Sequence, residues 1–153
     1  MPLSSRKGGD ARRGLETWAG GLSIAAGGLH GGLASEHLQE WWGYGLFFLF
    51  AAAAQLVLGL ALLTNAVNAI DSGPAWARLK RGMYGTGIAG NLAILGLYAV
   101  TRTVGIPVGA AAGRIEAVAP IDVVSKVLEA AVIVLLAVLL RRTGRAMTQS
   151  SSV

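Results

Sequence analysis

The sequence predicts an all-α integral membrane protein, a bundle of four transmembrane helices with both termini in the cytoplasm. Three observations lead there. The chain of 153 residues is 54% hydrophobic and 14% charged, against about 25% charged in ordinary soluble domains. The missing charge is concentrated: Trp18–Ala34, Trp41–Ala69, Gly82–Thr101 and Ala130–Leu140 carry no Asp, Glu, Lys or Arg. A bilayer core needs about 20 apolar residues per helix. Finally, the basic residues are sorted by loop in the way that sets membrane orientation.

Residues 1–13 hold Arg6, Lys7, Arg12 and Arg13 and are expected as a disordered cytoplasmic tail. A basic start before an apolar run is also the pattern of a secretory signal, but repeated glycines and His30 make a poor signal core. The transmembrane domain is placed at 14–142. Its first span runs from about Leu15 to Ala34 and contains Gly27/Gly31 and Gly28/Gly32. Such small-xxx-small pairs let a second helix come close, which drives packing in lipid. They serve either a neighbour within the bundle or a homodimer.

The connection 35–41 carries Glu36 and Glu40 and no Lys or Arg. The second span, about Trp42–Thr64, opens on the aromatic belt Trp41, Trp42 and Tyr44, as membrane interfaces favour. Residues 65–81 are expected as a loop. Asp71-Ser-Gly-Pro74 signals a turn, and Trp76, Arg78, Lys80 and Arg81 form an interfacial anchor. The third span is about Gly82–Thr103. Residues 104–120, rich in Gly, Pro and Ala, are read as a surface loop, with a lid over the bundle as the other possibility. Pro120 suits the first position of a helix, and the fourth span runs to Leu140. Residues 143–153 are expected as a disordered tail. Ten of the thirteen Lys and Arg fall in residues 1–13, in the 65–81 loop and between Arg141 and Arg145, so the 35–41 and 104–120 connections should face outward.

Polar residues fall in stripes. Glu16, Ser23, His30 and His37 are each seven apart on the first helix and so share one face. Asn91, Tyr98 and Arg102 do the same on the third, and Asp122, Ser125 and Glu129 on the fourth; Gln55 lies near the middle of the second. Stripes of this kind face a bundle interior or a wet cavity. The expected picture is an outward-facing shaft containing Gln55, Asn91, Tyr98, Arg102 and Ser125, with Glu129 at its floor. His30 points down toward Glu129, and the two are the candidate acid–base pair. Lys126, one turn away, either pairs with Glu129 or reaches outward.

His37, Glu40 and Asp122 are candidate metal ligands, of a donor type that suits divalent zinc, iron, manganese or copper. The His-x-x-Glu spacing of His37 and Glu40 puts both on one helix face. No second pair of the di-iron kind exists, and two histidines on one segment cannot clamp a haem. The chain has no cysteine, which excludes disulfides and thiolate sites. Nothing resembles a nucleic-acid-binding module, so the partner is the lipid bilayer of the cell membrane, spanned several times. Three functions fit: a polar site, metal-binding or acid–base active; a proton-coupled transporter or channel working as a homo-oligomer; and a structural accessory subunit of a larger membrane complex.

Overall fold

The computed structural model describes residues 3–64 and 74–150, with side chains placed for 9–64 and 75–144. The described chain forms four helices: α1 (Leu3–Glu40), α2 (Trp42–Leu63), α3 (Pro74–Thr103) and α4 (Pro120–Ser150). Among the described residues three stretches are long and apolar enough to cross a membrane: Trp42–Leu63, Ala75–Thr103 and Pro120–Gly144. α1 does not qualify. Its uncharged stretch is diluted by six glycines, Ser23 and His30, which carry little or no favourable transfer free energy into lipid.

The helices also run past the expected spans. α1 starts at Leu3 and continues through the 35–41 connection, and α4 continues to Ser150. Residues 74–81, expected within a loop, are the first two turns of α3, which Pro74 opens. The Asp71-Ser-Gly part of the turn signal lies outside the described residues.

The α1–α2 reversal takes one residue. Trp41 is extended (φ −167°, ψ 134°); its N–H closes α1 on His37 O at 3.0 Å, and its carbonyl accepts from Tyr44 N–H, opening α2. The two helices then pack backbone to backbone. A Cβ on Gly20 would lie 2.9 Å from Gly59 O, and one on Gly27 3.0 Å from Ala52 O. Gly27 and Gly31 both face α2, whereas nothing lies within 4 Å of a Cβ on Gly28 or Gly32. The first small-residue pair therefore packs on α2 within the chain.

Successive helices alternate in direction. α1 packs on α2 and α4, and α3 packs on α4, while α2 and α3 scarcely touch. The ends of α1 and α3 that begin the helices and the ends of α2 and α4 that finish them lie together: Arg13 donates to Leu62 O at 2.8 Å, Lys80 reaches Glu16, and Arg81 borders Gly144. This is the closed end of the bundle. Ala19, Leu62, Tyr84, Val132, Leu136 and Leu139 form the dry core above it.

At the opposite end, residues 104–119 fold back across the helix ends. Gly105 (φ +72°) ends α3 in the left-handed region and donates to Val100 O at 2.9 Å, a glycine stop for a helix. Glu116 N–H donates to Thr101 O at 3.1 Å, and Tyr44 O–H donates to Val108 O at 2.8 Å, tying the segment to α3 and α2. Asp122 accepts from Ala119 N–H at 3.0 Å, so it caps α4 from its third residue, as one half of a capping box does. The segment is a cover, not the plain surface loop expected.

Candidate functional site

Under this cover lies a chamber of about 460 Å³ bounded by all four helices. Its walls are mainly apolar: Leu33 from α1, Phe47 and Phe48 from α2, Ile94 and Leu97 from α3, Ile106 from the cover. His30, Ser125 and Lys126 line one end, and Arg102, Glu116 and Asp122 the other.

His30 is buried, 4% exposed, and its protonation can be read from its neighbours. Nδ1 lies 3.0 Å from Ala26 O and 3.0 Å from Gln55 Oε1. The carbonyl accepts only, so Nδ1 carries hydrogen. The amide orientations agree. Asn91 Nδ2 donates to Gly87 O at 2.8 Å, which leaves Asn91 Oδ1 to accept from Gln55 Nε2 at 3.2 Å. That leaves Gln55 Oε1 facing the imidazole. The chain Gly87–Asn91–Gln55–His30 thus runs in one direction across three helices, and Ser23 O–H adds a bond to Gln55 O at 2.7 Å.

The other ring nitrogen then decides the chemistry. His30 Nε2 lies 3.4 Å from Glu129 Oε1, and in a neutral imidazole with hydrogen on Nδ1 it is a lone-pair acceptor. A lone pair facing a carboxylate is unfavourable unless a proton sits between them, on either partner. Glu129 is fully buried. Its Oε1 accepts from Ser125 O–H at 3.1 Å and from Lys126 Nζ at 2.8 Å. Its Oε2 lies 2.7 Å from the same ammonium but has no partner in hydrogen-bonding geometry.

The remaining candidate residues lie nearer the cover. Tyr98 lines the chamber, with the Arg102 guanidinium 4.8 Å and the Lys126 ammonium 5.3 Å from its ring centre. Arg102 is bound to Asp122 at 2.7 Å and to Glu116 of the cover. His37 pairs with Glu40 at 3.0 Å and stacks on Phe48 with ring centres 3.9 Å apart.

The three expected metal ligands do not assemble. Among the described residues no three His, Asp or Glu side chains are grouped to hold a metal ion. Asp122 Oδ2 accepts from Arg102 and from the Ala119 N–H at the start of α4, while His37 and Glu40 pair with each other on the last turn of α1: sharing the rim does not bring the three side chains to one point.

Two features escaped the sequence reading. Glu116 joins Asp122 on Arg102, although the sequence places it in a loop. More notably, Glu16 accepts from Lys80 Nζ and Tyr84 O–H, both at 2.5 Å, in a cluster as buried as the His30 site. The four-residue spacing of Lys80 and Tyr84 puts both on one face of α3, the one available signal. No family model matches the chain, and no curated protein or solved structure is significantly similar to it.

Proposed function

We propose that the protein is a multi-pass cell-membrane protein whose chamber, opening toward the exterior, binds a small and largely apolar molecule against an acid–base pair, His30 and Glu129. The orientation rests on the loop asymmetry of Lys and Arg. In this reading α1 is the fourth span, tolerated in lipid because its polar stripe turns inward. The chamber volume falls within the range of small-molecule sites, which are mostly apolar with a few placed polar groups.

The observation that carries the reading is the facing of His30 Nε2 and Glu129 Oε1 at 3.4 Å, with Nδ1 fixed as the donor. The pair holds one proton, and His30 is the member that lines the chamber. A proton held this way can move to a ligand's basic atom and return, which is general acid–base work. The dry core beneath, from Ala19 to Leu139, favours a closed-ended site over a path through the bundle.

The test has two parts. Nitrogen NMR of the His30 ring should show hydrogen on Nδ1, and Glu129→Gln should shift the Nε2 resonance because the shared proton is gone. An unprotonated Nδ1, or an Nε2 signal indifferent to Glu129→Gln, would overturn the acid–base pair. Mass spectrometry of organic extracts from the purified protein should find a retained lipophilic molecule that is lost when Leu97→Trp fills the chamber. An accessory subunit would instead retain nothing and co-purify with a fixed partner.

A second reading, that the protein works as a homodimer, is favoured by one observation. Gly28 and Gly32 face open space on α1, the helix least suited to lipid contact. Cross-linking through cysteines placed at 28 and 32 should trap a dimer, and random collision yields would rule it out.

A further inference from the structure

The chamber's charge and its rings narrow what it binds. Its lining holds three carboxylates, Glu36, Glu116 and Asp122, against two cations, Arg102 and Lys126. Glu129, fully buried, lies outside the lining but is bound to the lining residues Ser125 and Lys126; with the proton it shares with His30 counted, the acidic groups still outnumber the positive charges. Neither cation is free to receive an anion: Arg102 is taken by Asp122 and Glu116, and Lys126 by Glu129. The walls carry the rings of Trp41, Tyr44, Phe47, Phe48 and Tyr98. An electronegative space walled by aromatic faces attracts cations, because the ring faces carry negative charge density.

The chain itself demonstrates the site. The Lys126 ammonium sits 2.8 and 2.7 Å from the two Glu129 oxygens and 5.3 Å from the centre of the Tyr98 ring. A carboxylate and an aromatic face together form an ammonium-binding arrangement, and the present occupant is tethered. Lys126 also has a second carboxylate in reach. Asp122 lies four residues before it, the spacing at which helix side chains meet, and borders the same chamber. Glu129 Oε2, fully buried and without an aligned donor, is the acceptor that an incoming N–H group would satisfy.

We infer that the molecule held in the chamber is a lipophilic ammonium ion, an arylalkyl amine in protonated form, whose nitrogen replaces Lys126 at Glu129 while Lys126 turns to Asp122. The inference rests on the proposal that the chamber binds a small molecule at all. No bond is made or broken; one ammonium exchanges for another at a single carboxylate. In the empty protein Lys126 occupies Glu129 and so limits the affinity.

Three probes of matched size separate the possibilities: 2-naphthylmethylammonium, 2-naphthoate and 2-naphthylmethanol. Each is equilibrated by dialysis with the full-length protein in detergent micelles, and the Leu97→Trp protein gives the background of probe dissolved in detergent. The amine should bind at least about tenfold more tightly than the acid or the alcohol. Glu129→Gln should remove most of that preference, and Lys126→Met should strengthen amine binding several-fold. Acid or alcohol bound as well as the amine overturns the ligand class and leaves the chamber reading standing. An amine preference that survives Glu129→Gln places the charge recognition elsewhere and also overturns it. No saturable binding of any probe overturns both. Should Glu129→Gln or Lys126→Met fail to fold, the ranking of the three probes on the unaltered protein still decides.

Discussion

The two ends of the bundle use the same chemistry to opposite effect. At the closed end, Glu16 sits between Lys80 and Tyr84 with all three buried, and the Lys80 ammonium also lies 4.6 Å from the Trp76 ring centre. At the open end, Glu129 sits beside Lys126 and Ser125, and the Lys126 ammonium lies over the Tyr98 ring. Each end thus has a buried carboxylate, a lysine, a hydroxyl and an aromatic ring. The difference is what borders them. The first cluster is pressed between helices and capped by the dry core; the second faces 460 Å³ of open space. A buried ion pair with nowhere to move fixes helix register, and the same pair beside a cavity can exchange a partner. His30, with its directed chain of amides, exists only at the second.

That contrast can be broken by removing each carboxylate. Glu16→Ala strands the buried Lys80 ammonium, and should cost about 3–5 kcal/mol in unfolding from detergent micelles. Glu129→Gln should cost only about 1–2 kcal/mol, since Lys126 is free to turn toward Asp122. Equal losses would mean that both clusters are locks and that the chamber plays no part in the second.

Next in size are the glycines of α1. Gly27→Leu puts a side chain where even a Cβ would lie 3.0 Å from the Ala52 carbonyl oxygen, and should cost about 1–3 kcal/mol by overpacking. Gly28→Leu, on the open face of the same helix, should leave unfolding unchanged, and should weaken self-association if the homodimer forms. A loss of stability at residue 28 would show that this face is packed within the chain.

A smaller effect is expected at the cover. Glu116→Gln removes one of two carboxylates on the part-exposed Arg102, worth roughly 0.2–1 kcal/mol. Global stability should barely move, but amide hydrogen exchange in residues 106–113 should speed up relative to α1 and α3. Unchanged exchange would show that the Tyr44–Val108 bond and the glycine turns hold the cover without Arg102. The smallest effect belongs to His37→Ala. Its pair with Glu40, whose side chain is 57% exposed, is worth below about 1 kcal/mol, and the metal content of the purified protein should not change.

Much of the open end can be read from spacing alone. The seven-residue recurrence of Glu16, Ser23, His30 and His37 sets one face of α1, and Asp122, Ser125 and Glu129 set one face of α4. Two such faces in one bundle have to meet, so His30 opposite Glu129 follows from periodicity and depth. The metal reading of His37, Glu40 and Asp122 used the same kind of argument and failed. Periodicity gives the face a residue occupies but not whether side chains from different helices converge, and Asp122 Oδ2 is turned to Arg102 and the Ala119 N–H. α1 extends from Leu3 to Glu40, past both ends of its uncharged stretch, because charged and polar residues mark where an apolar span stops but do not by themselves stop a helix.

By itself the sequence determined the helical class, three of the four apolar spans expected from it and the inward turn of the polar stripes, because these follow from local composition and a period of 3.6 residues. Only the tertiary structure decided which carboxylate became a lock and which a site. That depends on helix register and on where residues 104–119 come to rest, and both are set by contacts between residues far apart in the chain. Glu16 and Lys80 are 64 positions apart, and so are Tyr44 and Val108. The first contact closes one end of the bundle, and the second roofs the chamber at the other.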